Sequence, residues 1–326
     1  MDITVGTFIL NNLFSRFNFE GAVEALAQPG GGVGAMTVRY EFSDPEHFRV
    51  RTFRGKLVKA KEEGDTEEIA RRIREMNVDV LAVQEVEHID ILRQFNDEHL
   101  DGMYRYEVLI EGNDPRFIDV GVLSKLPVGA ITSHQTAEHE ESPGIRIFGR
   151  DLLEAEILHP TRNERLFTLY NTHLKSHFIP HDQDPVLGAQ RADERRRRQA
   201  ETISRIVAAR QRTNGRFLIV GDMNDPEDAA TLAAIRTVEG QPLTNALSDP
   251  VETRPAKSET SGPDPRSPAW TYRHKETGEP AQHLLYDQIW ASGALSSRIG
   301  SAFVDRRSKH GGDGSDHDPA WISLSF

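Results

Sequence analysis

The stretch Val78-Asp79-Val80-Leu81-Ala82-Val83-Gln84-Glu85 decides the fold class. Its apolar run, broken only by Asp79, reads as a buried strand. Ahead of it, Ile69, Ile73 and Met76 recur at helical spacing. They follow Asp65-Thr66-Glu67-Glu68, which predicts a capping box: Asp65 accepts from first-turn amides and Glu68 lies three residues on. Behind the strand, 89–98 reads as a second helix. A buried strand framed by helices is the repeating unit of an α/β protein.

The alternation continues outward. Strands are expected over 5–10, 106–110, 120–123, 152–158, 166–172, 217–220, 284–290 and 320–324. A long helix is expected over 188–212, with Ala189, Ala192, Gln199, Ala200, Ile203, Ile206 and Val207 as its inner stripe. Its run Arg195-Arg196-Arg197-Arg198 looks like a nucleic-acid patch. The pairs Asp193/Arg197, Glu194/Arg198 and Glu201/Arg205 favour a solvated face instead. Pro226 is expected to open a helix capped by Asp225. Residues 15–60, with Pro29-Gly30-Gly31-Gly32 and a hairpin pattern about Ser43-Asp44-Pro45, read as an insertion or arm, and 253–268 as a mobile loop. No Pro/Gly linker divides two cores, so 1–326 is expected to form a single domain.

The chain has 326 residues, 37% hydrophobic and 28% charged, the balance of a soluble globular protein. No apolar run approaches the roughly 20 residues that cross a bilayer. Met1-Asp2-Ile3-Thr4 opens no signal peptide, which predicts a cytoplasmic protein, or a secreted one if a signal was removed. The lack of cysteine excludes disulfides, thiolate metal sites and cysteine nucleophiles. Acidic residues outnumber basic ones 51 to 39, and the net charge of -12 argues against non-specific DNA binding by charge alone. A nuclease remains open, because metal ions neutralise carboxylates locally. A monomer is the favoured state.

Polar residues gather where apolar runs stop. Glu85 ends one run, Asn171 and His173 another, and Asp222 and Asn224 a third. Asp287 sits inside 284–290, and Asp316-His317 stand between a glycine-rich loop and the last strand. Such residues are costly to desolvate unless paired, hydrogen-bonded or bound to metal. Singly, each has a plain reading. Glu85 caps the next helix, Asp222-Met223-Asn224 is a turn, His173 is a core histidine, Asp287 serves a core donor, and Asp316-His317 is an exposed turn. Together they predict one polar site at a sheet edge. Two acidic ligands without cysteine favour a hard ion, Mg²⁺, Mn²⁺ or Ca²⁺, over zinc. Arg116 and Lys175 are candidates to bind an anionic substrate, and Trp270 to line its pocket.

These segments also match a family in order along 5–324. They are Thr7-Phe8, Asn11-Asn12-Leu13-Phe14, Leu81-Ala82-Val83-Gln84-Glu85-Val86 and Asp119-Val120-Gly121-Val122-Leu123-Ser124. Asn171-Thr172-His173-Leu174-Lys175-Ser176, Gly221-Asp222-Met223-Asn224-Asp225, Tyr286-Asp287-Gln288-Ile289 and Ser315-Asp316-His317-Asp318-Pro319 follow. Each is weak alone. Together they make the chain resemble the endonuclease/exonuclease/phosphatase superfamily, with its deoxyribonuclease-I-like fold.

The resemblance implies a four-layered α/β sandwich, two packed mixed β-sheets flanked by helices. It implies hydrolysis of a phosphate ester by an in-line water, assisted by Mg²⁺ or Mn²⁺, with Ca²⁺ a further candidate. Glu85 then looks like the main metal ligand, completed by Asp316. His317 looks like the catalytic imidazole, oriented by Asp287. Asp222 and Asn224 would position water and phosphate, and His173 would bind a phosphate oxygen or help the leaving group. Asn171 is a further candidate for the same pocket. One position departs: where the family's first strand usually carries a metal-holding Asn, this chain has Ile9, and Asn11 matches the second polar position. His173 together with His317 resembles the diesterase-type deoxyribonucleases, so the expected activity is a metal-dependent phosphodiesterase, a nuclease. The competing readings are a phosphatase or phospholipase on a lipid headgroup, sugar phosphate or nucleotide, and a catalytically silent protein that binds phosphate ligands.

Overall fold

The computed structural model describes residues 1–14, 61–180, 183–254, 269–274, 278, 280–306 and 314–326. The expected arm over 15–60 with its hairpin, and nearly all of the expected loop over 253–268, lie outside the described residues. The strands that form the two large sheets are β1 (Asp2–Leu13), β2 (Val80–Val86), β3 (Tyr106–Leu109), β4 (Asp119–Ser124), β5 (Val128–Ser133), β6 (Leu152–Leu158) and β7 (Arg165–His173). They continue with β8 (Phe217–Asp222), β9 (Thr244–Asn245), β10 (Val251–Arg254), β11 (Asp287–Ala291), β12 (Ile299–Asp305) and β13 (Ala320–Ser325). The principal helices are α1 (Glu63–Met76), α2 (Ile89–His99) and α3 (Pro185–Arg210).

One sheet has seven strands in the order β10-β12-β13-β1-β2-β4-β3, and the other has six in the order β9-β11-β8-β7-β6-β5. The pairs β1/β2 and β7/β8 are parallel, while β13, β4, β6 and β11 run antiparallel to them. The alternation of side chains across the pleat, with both faces covered, explains why the deciding stretch is apolar at every position from Val80 to Val83. Val80 and Ala82 face the core between the sheets, with Val122, Leu169, Leu218, Ile289 and Ile322. Leu81 and Val83 face outward into a second core, against Ile69 and Ile73 of α1 and Leu92 and Phe95 of α2. Ala200, Ile203 and Val207 of α3 cover Tyr170, Ile219 and Trp290 on the far face of the other sheet. The layers are therefore helix, sheet, sheet and helix, the expected four-layered sandwich. Each fully buried aliphatic side chain contributes roughly 1.5–3 kcal/mol to holding them together.

Several local expectations are corrected. The capping box does not form: α1 starts earlier, with Glu62 at the N-cap and no side-chain cap. Asp65 instead sits in the first turn, where it favours the helix dipole, and Glu68 pairs with Arg71. The expected helix after Pro226 is only a turn and a short 3₁₀ segment, Ala230–Leu232. Asp225 does not cap it, because Arg196 of α3 binds that carboxylate at 2.7 Å. Arg196 is thus fully buried rather than part of a solvated face, whereas Arg197 and Arg198 do pair at the surface with Glu194, Glu201 and Glu141. Ala189 is exposed rather than part of the inner stripe. The run 284–290 is split: Leu284 ends a small ribbon strand paired with Tyr272–His274, and Asp287 starts β11. Strands β5 and β12 went unread because their exposed, polar positions break the alternation.

Gly221 marks where β8 must press closest to β7. Its φ is +124°, and a Cβ there would lie 1.9 Å from the Thr172 carbonyl oxygen. Gly221→Ala is expected to destabilise the fold by about 3 kcal/mol in urea unfolding. An unchanged midpoint would mean that this close approach does not hold in solution.

Candidate active site

The strand pattern brings the polar ends to one edge. The parallel strands β1, β2, β7 and β8 finish there, and the antiparallel strands β6, β11 and β13 begin there. Asp222 is in register with His173 on one side and Asp287 on the other. Leu152 of β6 pairs with Thr172, which sets Arg150 beside the end of β7. Thr7 pairs with Ala320, which carries Asp316-His317 to the end of β1. The edge opens into a cavity of about 710 Å³. Of the expected residues, Asn11, Glu85, Arg116, His173, Asp222, Asn224, Asp316 and His317 line it.

Two backbone irregularities create the side of the cavity that carries Asn11 and Glu85. The β1/β2 register shifts between Ile9 and Leu13, and the β2/β4 register shifts between Gln84 and Val86. At these bulges Asn11, Asn12 and Glu85 take positive φ of 47°, 61° and 61°. Asn tolerates this region, but Glu rarely adopts it, so the strain marks a position held for a purpose. The Asn12 amide donates to the Glu85 carboxylate at 3.1 Å. Ile9 is buried and offers no side-chain oxygen; its carbonyl accepts from the Ser315 hydroxyl at 2.7 Å. That hydroxyl also accepts from the His317 amide at 3.2 Å. Gly314, with φ +74°, lets this loop lie on the start of α1, since a Cβ there would be 2.4 Å from the Asp65 carbonyl oxygen.

Among the described residues there is no group of three or more His, Cys, Asp or Glu that could hold a metal. The oxygen donors at this side are the Glu85 and Asp316 carboxylates and the Asn11 amide. This set fits an ion that keeps several waters and needs only one or two carboxylates, as Mg²⁺ does, better than one that needs a closed cage. Lys61, unread in the sequence, is a further cation here. Its ammonium donates to the carbonyls of Asn11 and Gly314, each at 2.7 Å. Burial lowers its pKa, opposed by the charges of Asp65, Glu85 and Asp316.

The other side carries two histidines in opposite states. His317 Nδ1 lies 2.6 Å from the buried Asp287 carboxylate. Burial of the ring works against its charge, but Asp287, by charge and hydrogen bond, and then Asp316 and Asp222 outweigh it and push its pKa up to about 10. Thr271 ties this pair together, its hydroxyl accepting from the Asp287 amide at 3.0 Å and its carbonyl from the Asp318 amide at 2.7 Å. Tyr272 lies against the His317 ring at 4.7 Å. His173 is held well below its usual value, first by burial and then by the Arg150 charge. Its Nε2 lies 3.2 Å from Asp222 and 3.3 Å from Arg150. Burial likewise raises the Asp222 pKa. Asn224, in the left-handed region at φ 53°, spends its amide hydrogens on Asp222 and the Leu174 carbonyl, so its oxygen is left to accept.

Four expected residues do not line this cavity: Asp287, which stands behind His317, and Asn171, Trp270 and Lys175. Asn171 is fully buried: it donates to the carbonyls of Val83 at 3.0 Å and Gly121 at 2.7 Å and accepts from Gln84 at 2.8 Å. It is a polar bridge between the sheets rather than a substrate ligand. Trp270 is buried beneath Arg306, whose guanidinium lies 3.8 Å from its ring, and Tyr272 lines the cavity in its place. Lys175 lines a neighbouring cavity, and Arg116 lines both. Arg150 was missed although its position, at the edge of a buried run, carries the same signal as the others. It precedes its strand rather than ending one, and only the antiparallel pairing brings it to this edge.

The sequence model described as Endonuclease/Exonuclease/phosphatase family matches residues 53–317. No curated protein sequence matches the chain. Among solved structures, the endonuclease/exonuclease/phosphatase from Bacteroides vulgatus is similar with a TM-score of 0.60 at 16% identity, over 100% of this chain and 99% of that one. TDP2 from Caenorhabditis elegans, in truncated form, gives 0.53 at 13% identity over 99% and 97%. TDP2 from D. rerio, complexed with a single-strand DNA product, gives 0.55 at 11% identity over 100% and 99%. At these identities the likeness is one of fold.

Proposed function

The chain belongs to the endonuclease/exonuclease/phosphatase family, and from that premise we propose that it is a divalent-metal-dependent phosphodiesterase, a nuclease that works by an activated water. The observation that carries this reading is the His317–Asp287 contact at 2.6 Å on the same cavity as the His173–Asp222 contact at 3.2 Å. Environments that push two imidazoles apart assign them different tasks. The D. rerio relative with its single-strand DNA product supports nucleic acid as the substrate class.

Glu85 and Asp316, with Asn11, would hold the metal, which when bound would polarise a phosphate oxygen and neutralise carboxylate charge. Asp222, made more basic by burial, receives the proton of the attacking water, and the Asn224 oxygen fixes that water's direction. One P–O bond forms to the water oxygen and one breaks to the leaving alcohol. His317, kept charged by Asp287, returns a proton from Nε2 to the leaving oxygen, so one proton enters and one leaves. Neutral His173 and charged Arg150 hold the phosphate oxygens, supplying the positioning and charge neutralisation that phosphoryl transfer mainly requires.

Purified protein with Mg²⁺ or Mn²⁺ is expected to cleave bis(p-nitrophenyl) phosphate and plasmid DNA, and EDTA to abolish both. Glu85→Gln is expected to lower kcat/KM by about 100-fold. Intact substrates in the presence of metal would sink the proposal. Ile9 and Lys61 favour a second reading, a silent phosphate-binding protein. Calorimetry that shows phosphate-ligand binding without metal binding or turnover would select it.

A further inference from the structure

A second cavity, of about 500 Å³, adjoins the first. Arg116, Arg150, Ser176 and Phe178 line both, so the two share a wall. Among the described residues five cations face the second cavity, Arg116, Arg150, Lys175, Arg191 and Arg195, against one carboxylate, Asp114. Asp114 is committed to Arg116 at 3.2 Å and Arg150 at 3.5 Å. Among the described residues Arg195 meets only the Ile147 carbonyl, and Arg191 meets no partner. This concentration stands out in a chain of net charge -12. Burial, and then the charges of Arg150, Arg196, Arg116 and Arg195, push the Lys175 pKa down to about 8. Cations brought together without a counter-anion repel one another, and a bound anion relieves that repulsion.

The shared wall adds a second kind of chemistry. Phe178 is 62% exposed, at the junction of the two cavities. A positive groove beside an open aromatic face is the arrangement that takes single-stranded nucleic acid, its phosphates on the cations and a base on the ring.

We propose that this cavity holds the phosphate next in line to the scissile one, so that the substrate is a single-stranded oligonucleotide rather than a small ester with one phosphate. This rests on the phosphodiesterase reading above. The cavity reads the chain on one side of the cut, Arg191 and Arg195 hold its phosphate, and Phe178 stacks the base between the two phosphates.

The test compares two substrates in Arg191→Gln/Arg195→Gln and in Phe178→Ala. Against a short thymidine oligonucleotide, each variant is expected to raise KM about tenfold. The double variant should also flatten the dependence of log KM on log salt by about one to two units. Against bis(p-nitrophenyl) phosphate, which has one phosphate, kcat/KM should stay at the wild-type value. Equal losses on both substrates, or none on the oligonucleotide, would overturn the proposal. Fluorescence anisotropy of the labelled oligonucleotide in EDTA decides the cavity independently of turnover. There, about tenfold weaker binding in the variants supports it and unchanged binding overturns it. If wild-type protein cleaves neither substrate, the phosphodiesterase reading falls while this binding arm still judges the cavity. Loss in the arginine variant with none in Phe178→Ala would remove the base from the proposal and overturn the oligonucleotide assignment.

Discussion

His317→Ala is expected to lower kcat on bis(p-nitrophenyl) phosphate by about 10³–10⁴, the largest single loss in the site. The ring is buried, bonded to Asp287 at 2.6 Å, and packed against Tyr272, so nothing else in the cavity can take its position. Asp287→Asn keeps the shape and removes the charge. It should cost about 10²–10⁴, because the amide no longer stabilises a protonated ring or fixes its tautomer. His317→Ala should also lower the melting temperature, because it leaves the buried Asp287 carboxylate without its cation, so kcat is compared at a temperature where both variants remain folded. Full activity in His317→Ala would refute the imidazole's role and leave Asp222 and the metal side to carry the reaction.

Arg72→Met is expected to destabilise the protein by about 3–5 kcal/mol, the cost of taking a buried guanidinium away from two buried carboxylates. Arg72 is fully buried on α1 and lies 3.3 Å from Asp305 at the end of β12 and 3.2 Å from Asp318. Asp318 also faces Arg306 at 3.6 Å. Asp318 follows His317 directly, so this cluster joins α1, the end of β12 and the loop that carries His317 through charge. Urea unfolding at constant m value measures the loss. A second effect should accompany it: kcat should fall in the folded protein, because the loop that aims His317 loses its anchor. A loss below about 1 kcal/mol would show that the pair is replaceable by packing alone.

Legibility followed the range of the interactions. The runs that became β2, β6, β7 and β8 were readable because a strand covered on both faces must be apolar at successive positions, whatever its neighbours. The polar residues that stop these runs were readable for the complementary reason, since desolvating them demands a partner. The capping box was misread because Asp65 has the right composition for a cap, while the true start of α1 depends on where the chain enters. Asp225 looked like a cap for the same reason, and only the approach of Arg196 from α3 shows what it binds. Asn171 and Trp270 were assigned to the pocket from their neighbours in the motifs. Asn171 shares the face of His173 but lies two residues deeper, between the sheets, and Trp270 precedes its strand and is buried beneath Arg306.

By itself the sequence determined the α/β class, the buried strands, and the set of chemical groups: the Glu85 and Asp316 carboxylates, two histidines, and the Asp222/Asn224 turn. These depend on local pattern and on the cost of burying charge, both properties of residue type. The tertiary structure alone decided which groups meet. The pairing of parallel with antiparallel strands brings Arg150 and Asp287 to the same edge as Glu85 and His173. It decided that Lys61 stands beside the Glu85 and Asp316 carboxylates, that Asn171 joins the sheets, and that, among the described residues, five cations converge beside the candidate site. These contacts join residues tens to hundreds of positions apart, and chain order does not encode distance in space until the sheets have formed.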